Sequence, residues 1–204
     1  MTPTWEFAVS RLARILCLAA VTFCVVAPPT SAAPAKKLDK TLGALWTTVL
    51  ETPSAQNPFG TGGSAFACWD LGGTVAPFAP GGVESCTVKP GTKTFVAASS
   101  FECSTFEGVP RQMLRNCARN GDVQVAPSVT VDGVPVPVTE VETGELNIVL
   151  PAHNIFGLPA GTQGFSYGHG WVTLLSPLST GTHEIVITSG SSVITTTIKV
   201  NAGG

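Results

Sequence analysis

The segment Gly164–Gly168 reads GFSYG and matches the G-x-S-x-G pattern that surrounds the nucleophile of many serine hydrolases. That chemistry needs a strand before the serine, a helix after it and a histidine as general base. For Ser166, the base would be His169 or His183. A Gly- and Pro-rich loop precedes this segment, however, and a strand follows it. The sequence context therefore disfavours a serine hydrolase built on Ser166.

An aromatic or histidine side chain stands at every second position around this serine, at Phe165, Tyr167, His169 and Trp171. On an extended segment, alternate side chains share one face. Aromatic faces with a few polar groups are typical of sites that bind a sugar or another flat apolar ligand. We therefore predict these four as ligand-binding residues, with an extracellular glycan or cell-surface ligand as partner. The alternative is that Trp171 is core and the others close one end of the fold.

Other residues that could do chemistry form no recognisable site. The three histidines are too far apart in the chain for a local metal site, and the acidic cluster Glu140, Glu142 and Glu145 lacks the D-x-D-x-D-G pattern of a calcium loop. No metal and no cofactor is predicted, and the cluster is expected to be a solvated loop. Glycoside hydrolysis needs two facing carboxylates, and the sequence offers candidates without placing them: Asp70, Glu84, Glu102 and Glu107.

Because no catalytic group fits its required context, the sequence favours a non-enzymatic binding module outside the cell or at its surface. Two alternatives stay open. One is a secreted hydrolase whose site is assembled from separate loops. The other is a structural protein of the cell envelope.

Residues 1–33 have the organisation of a signal peptide. Arg11 and Arg14 precede the apolar run 15–27, and the small residues 30–33 follow two prolines. The apolar run is too short to span a bilayer comfortably. We therefore expect a secreted protein with no stable membrane span after cleavage.

Four cysteines remain after this leader: Cys68, Cys86, Cys103 and Cys117. An even number in an exported chain indicates two disulfides, for which three connectivities exist. We favour Cys68–Cys86 and Cys103–Cys117, because each pair closes a short loop between neighbouring elements. A zinc site is the alternative, but the chain lacks CxxC and HxxxH spacing.

The composition argues against a disordered chain and against a nucleic-acid-binding protein. The chain is 44% hydrophobic and only 12% charged, whereas disorder needs low hydrophobicity and high charge. The net charge is −2, and the only basic cluster is Arg111, Arg115 and Arg119. These arginines stand four apart, so they are predicted to share the solvent face of a helix. Nothing in this distribution favours a nucleic-acid partner.

Two helices are expected outside a set of short strands. Apolar residues recur at helical spacing in 35–51, while Pro110 and the Asn120-Gly121 pair mark the start and end of a second helix. Asp132-Gly133 between alternating apolar residues predicts a hairpin. A second hairpin is expected between 83–88 and 92–99, followed by an irregular crossing over 100–109 and, later, a long loop over 151–169.

The last thirty residues predict the fold class. Runs rich in Val, Ile and Thr, separated by turn residues, indicate a three-stranded meander over 170–200 that supplies central strands. With the earlier strands, it predicts a mainly β protein, a two-sheet β-sandwich or jelly roll with two peripheral helices. The expected organisation is a signal peptide (1–33), an N-terminal helix and loop (34–64) and a sandwich domain (65–204).

Four stretches together resemble a group of exported bacterial β-sandwich proteins: NPFGTGG before ACWDLGGTV, CTVKPGTKTFVAASSFEC, TVDGVPV, and GHGWVTLLSPLSTGTHEIVI. Members share the tryptophan strand, the Pro-Leu turn and the Gly-Thr-His before the closing hairpin. The resemblance covers most of residues 55–200. The group has no assigned activity, so the resemblance implies a fold and an export route, and no mechanism.

Overall fold

The computed structural model describes residues 35–60 and 68–201. The predicted signal peptide lies outside the described residues. The helices are α1 (Ala35–Leu50) and α2 (Leu114–Gly121), and single-turn 3-10 helices cover Ser54–Gln56, Thr105–Glu107 and Arg111–Met113. The strands are β1 (Cys68–Asp70), β2 (Thr74–Pro77), β3 (Ser85–Val88), β4 (Lys93–Ser104), β5 (Ser128–Val131), β6 (Val134–Val136), β7 (Thr139–Glu142), β8 (Leu146–Val149), β9 (Gln163–Leu175), β10 (Gly181–Ser189) and β11 (Ser192–Val200).

The strands form two sheets that pack face to face, which confirms the predicted β-sandwich with two helices. The first sheet has the order β1-β2-β4-β9-β7, with β8 beside β9, and the second has the order β3-β11-β10-β5-β6. The apolar alternation of β10 and β11 buries Ile185, Ile187, Ile198 and Val200 against Val96 and Leu175 of the first sheet, among other residues. The last strands are central, as predicted.

Helix α1 covers the outer face of the first sheet. Its apolar residues recur at helical spacing, so Leu38, Leu42, Leu45 and Val49 form one stripe that is fully or almost fully buried. Trp46 widens the stripe and packs near Phe59 and Phe78. The helix predicted from this spacing is confirmed.

The inner face of the first sheet extends beyond the second sheet, and α2 covers the extension. A bulge in β4 between Ala97 and Ser99 shifts the alternation, so that Ser99 and Cys103 face the same side as Val96. The disulfide Cys103–Cys117 then fixes α2 on this part of β4. The helix and the second sheet therefore lie side by side in one layer.

Two predictions about strand pairing are wrong, and two about the lengths of loops. Strands β3 and β4 form no hairpin, because β3 pairs in parallel with β11 in the second sheet while β4 pairs with β9 in the first. The first run of the predicted meander is part of β9, so it lies in the first sheet, opposite β10 and β11. The expected crossing and long loop are also shorter, since β4 continues to Ser104 and β9 begins at Gln163.

Both disulfides form with the pairing favoured from the sequence. Cys68–Cys86 joins β1 to β3 and so links the two sheets, with a Cα–Cα distance of 5.8 Å. Cys103–Cys117 joins β4 to α2 at 6.0 Å. Neither helix in the described part of the chain has the length and apolar character needed to cross a membrane.

Removal of the Cys103–Cys117 bridge by a double alanine substitution should lower the free energy of unfolding by about 3 kcal/mol. A bridge that closes a loop of this length restricts the unfolded chain by about that amount, and without the bridge the unfolded chain regains this entropy. Urea unfolding measures the loss. Hydrogen exchange should also quicken in 114–121. The matched control is the Cys68→Ala/Cys86→Ala variant. It should lose similar stability, but hydrogen exchange in α2 should not quicken more than in the rest of the domain. Unchanged exchange in α2 after removal of Cys103–Cys117 would contradict the anchoring role.

Candidate functional site

The four residues predicted to bind a ligand lie on one face of β9, and α2 covers much of that face. Trp171 Nε1 donates a hydrogen bond to the carbonyl of Val123, at 3.1 Å. The guanidinium of Arg111 lies 3.5 Å from the centre of the Phe165 ring. The side chains of Trp171 and Phe165 thus contact neighbouring residues of the protein and are not fully exposed to solvent. Its role in ligand binding stays a prediction.

His169 lies in the centre of this row, between two carboxylates. Its side chain is only 3% exposed. Nδ1 is 2.8 Å from Asp122 Oδ2, and Nε2 is 3.0 Å from Glu140 Oε1. An imidazolium donates at both nitrogens, so in that form each nitrogen finds an acceptor. Asp122 is equally buried and accepts further hydrogen bonds from the Ser99 hydroxyl and the Val123 N–H.

The position of Asp122 follows from the end of α2. The helix stops at Gly121, where any Cβ atom would overlap the ring of Phe101 on β4. Glycine therefore lets the end of the helix lie directly against the strand. Asp122, the next residue, has extended backbone and directs its carboxylate toward His169.

A second carboxylate of β7 gathers the cations of α2. Glu142 accepts from Arg115 Nε at 2.7 Å and pairs with Arg119 at 3.1 Å, and the Tyr167 hydroxyl donates to it at 3.1 Å. Burial opposes ionisation of Glu142, but the hydrogen bonds from Arg115 and Tyr167 outweigh that effect and lower its pKa. The expected solvated acidic loop is thus wrong for Glu140 and Glu142, which lie on strand β7.

These groups meet at an open groove of about 390 Å³, which we call the charged groove. It lies between the first turns of α1, the end of α2 and the edge strand β7. Its lining combines two cations with three carboxylates: Ala35, Lys36, Asp39, Arg119, Glu140, Val141 and Glu142. Glu140 is half exposed, and among the described residues its Oε2 atom has no hydrogen-bond partner. The groove can therefore accept and donate hydrogen bonds at once.

The structure does not bring Ser166 and His169 together. They lie on opposite faces of β9, because Ser166 occupies an even position of the strand and His169 an odd one. Ser166 is fully buried, and its hydroxyl donates to Glu102 at 2.5 Å. Burial raises the pKa of Glu102 to about 7, against the opposing effect of this hydrogen bond. The G-x-S-x-G pattern here marks a buried strand.

The remaining candidates from the sequence have local roles. Asp70 accepts the N–H of Gly72 in a turn, and Glu107 accepts the N–H of Ser104 at the start of a 3-10 turn. His153 is exposed in a loop, away from the network of His169. Within residues 35–60 and 68–201, no three His, Cys, Asp or Glu side chains converge as metal ligands would.

Sequence reasoning missed Asp122 as a functional residue. Its signal was present: an acid directly after the Asn-Gly that ends a helix can turn back toward the sheet. Glu140 and Glu142 also carried a signal, since alternate acids on a strand share one face. Neither signal identifies the partner, because Asp122 and His169 are far apart in the chain.

Comparisons of the chain with protein-family models, with curated proteins and with solved structures gave no match. The class of this protein is therefore defined by its fold and its site. The chain is a disulfide-bonded β-sandwich domain with a charged groove at one edge of its first sheet.

Replacing His169 by Phe should lower the free energy of unfolding by about 3 kcal/mol, because the buried carboxylate of Asp122 loses its partner. Urea unfolding at pH 7 measures this change. The double variant Asp122→Asn/His169→Phe removes the unpaired charge and should recover at least about 1 kcal/mol relative to the single variant. If the two losses simply added, the proposed pairing of the buried groups would be wrong.

Stability should fall as pH rises from about 4.5 to about 7, because the folded state holds the proton of Glu102 where the unfolded chain releases it. One pKa unit is worth about 1.4 kcal/mol, so ionisation of this partly buried carboxyl costs the folded state about 3 kcal/mol. Glu102→Gln keeps an acceptor for Ser166 and carries no charge. It should be more stable than the parent at pH 8 and nearly equal to it at pH 4.5.

Urea unfolding across this pH range tests the effect of Glu102. The matched control is Glu84→Gln on the exposed surface, which should follow the parent at every pH. A Glu102→Gln variant that also ran parallel to the parent would show that Glu102 titrates normally.

Proposed function

We propose that this chain is an exported, non-enzymatic binding module whose charged groove takes a polyhydroxylated ligand, such as an extracellular glycan. The observation that carries the proposal is that buried residues hold the Glu140 carboxylate in place. A buried His169–Asp122 pair holds one oxygen of this carboxylate, while the other oxygen is free of protein partners among the described residues.

Burying an ionisable pair is expensive, and apolar residues of similar size often stabilise a fold as well or better. Such pairs are informative when they orient an accessible group, because binding sites depend on support from behind the contacting residues. His169 orients Glu140 in this way, and the Tyr167 hydroxyl does the same for Glu142. Two of the four predicted ligand-binding residues thus act on the groove from behind.

The chemistry of the groove suits sugar hydroxyls. A hydroxyl group both donates and accepts, so it can bridge a carboxylate and a cation. Asp39 and Glu140 offer acceptors, and Lys36 and Arg119 offer donors along the same groove. Charge-assisted hydrogen bonds of this kind are stronger than those between neutral groups. The near balance of charges in the groove favours a neutral ligand over a strongly charged one.

Export is the second part of the proposal. Two disulfides are compatible with folding in an oxidising compartment, and the first 33 residues have the pattern of a signal peptide. A secreted or cell-surface location places the groove where extracellular polysaccharides occur.

Calorimetric titration of the disulfide-bonded chain with chitohexaose, cellohexaose and mannohexaose tests the binding function. At least one should bind, and Glu140→Ala should weaken that binding at least tenfold, since it removes a charge-assisted hydrogen bond of about 1.5–3 kcal/mol. Glu84→Gln, an exposed carboxylate away from the groove, is the control and should bind like the parent.

His169→Asn should also weaken binding, through a less ordered Glu140. Failure of all three sugars to bind, or equal binding by the Glu140→Ala variant, would overturn the assignment of the groove and favour a structural role for the domain.

A further inference from the structure

A second histidine network lies on the surface of the second sheet, and its order is carboxylate, imidazole, hydroxyl. His183 Nδ1 is 2.7 Å from Asp132 Oδ2. His183 Nε2 is 3.3 Å from Ser179 Oγ and 2.9 Å from the carbonyl oxygen of the same serine. The first two distances connect the three side chains as in a serine nucleophile with its base and orienting acid, within the looser geometry of an unliganded site.

Three separate parts of the chain supply these residues. Asp132 begins the Asp-Gly turn between β5 and β6, Ser179 lies in the loop after β9, and His183 is the third residue of β10. Asp132 is held firmly, because its Oδ1 accepts the N–H of Glu184 and its own N–H donates to the Glu184 carbonyl, both at 2.8 Å. A fixed carboxylate sets the orientation of the imidazole.

We propose that Ser179, His183 and Asp132 form an acyl-transfer site that hydrolyses small carboxylic esters. This activity is independent of the charged groove and goes beyond the binding function proposed above. Ser179 is exposed, so a small ester reaches its hydroxyl without any movement of the fold. The adjacent backbone N–H, that of Thr180, makes no backbone hydrogen bond in the described chain and is available to a developing oxyanion.

The reaction balances with water as the only co-reactant. Ser179 Oγ bonds to the ester carbonyl carbon as its proton passes to His183 Nε2, and the carbonyl π electrons move to oxygen. The tetrahedral adduct collapses, the bond to the alcohol oxygen breaks, and the alcohol leaves with the proton from Nε2. Water then repeats both steps on the acyl-serine and releases the carboxylic acid, which restores the hydroxyl.

In the structure the His183 ring is closer to the Ser179 carbonyl than to its hydroxyl, as expected when Nε2 carries a proton. The hydrogen bond to Asp132 and that to the Ser179 carbonyl raise the pKa of His183. The neutral ring, which alone can accept the serine proton, therefore forms at higher pH than usual. Asp132 and Ser179 are the groups that contact the ring, and the pKa of Asp132 is lowered, so Asp132 stays ionised throughout.

The test uses the disulfide-bonded chain with a fluorophosphonate probe, followed by peptide mapping, and p-nitrophenyl acetate as substrate. Ser179 should be labelled at least tenfold faster than Ser176, an exposed serine of the same loop. The rate of ester hydrolysis should rise with pH, at pH values above the usual pKa of histidine. Hydrolysis should be lost in Ser179→Ala. Ser176→Ala is the matched control and should keep the parent rate.

Asp132→Asn separates catalysis from a purely structural clamp. Asparagine tolerates the left-handed backbone of this turn, so the fold should persist, as near-parental thermal unfolding will confirm, while labelling of Ser179 slows at least tenfold. Labelling of Ser179 no faster than that of Ser176, or hydrolysis unchanged in Ser179→Ala, overturns the proposal and leaves the network as a surface clamp. Neither result bears on sugar binding at the charged groove.

Discussion

Strands β4 and β9 are longer than the strands opposite them, and this mismatch controls the rest of the structure. The second sheet covers one part of their inner face, and the remainder needs another cover because a sheet face this apolar is not stable in water. Helix α2 supplies it, although its eight residues are too few to form a stable helix alone. The Cys103–Cys117 bridge and the close contact of Gly121 with Phe101 hold the helix in place. The position of Asp122 beside His169 depends on this attachment, because Asp122 directly follows the helix.

The seam between α2 and the second sheet is where the core becomes polar. Ser99 follows the bulge in β4 and Asp122 follows the end of α2. Inside the seam, Asp122 contacts both Ser99 and His169. The polar groups there have partners: no buried side-chain nitrogen or oxygen of the described residues lacks a hydrogen bond. A satisfied polar network is tolerated, whereas a partly satisfied one is costly. A series of hydrogen bonds thus runs from Ser99 through Asp122 and His169 to Glu140, and it connects the buried groups to the charged groove.

Local patterns predicted what local physics decides. Apolar spacing placed α1, the Asp-Gly pair placed the turn at Asp132, and cysteine positions favoured the correct disulfides. Strand pairing depends on distant partners, so the alternation in β3 could not show that it pairs with β11. The start of β9 was predicted as loop because Gly164 and Gly168 suggest turns, yet both lie in an extended strand where a Cβ would overlap Phe106 and Trp46. These glycines are required by close packing and not by a turn.

The two histidine networks illustrate why the same residue type serves different roles. His169 is enclosed and has a carboxylate at each nitrogen, so neither nitrogen is free to exchange a proton with a substrate. Such a ring positions its neighbours. His183 has one carboxylate at Nδ1, and its Nε2 faces an exposed serine. In the proposed acyl-transfer site, an imidazole held by a carboxylate at Nδ1 has an exposed hydroxyl within reach of Nε2 and can pass a proton between two oxygens, as general base catalysis requires. The distinction rests on the partner of the second nitrogen, which is Glu140 for His169 and Ser179 for His183. The sequence does not show the first of these partners, because Glu140 and His169 are 29 residues apart in the chain.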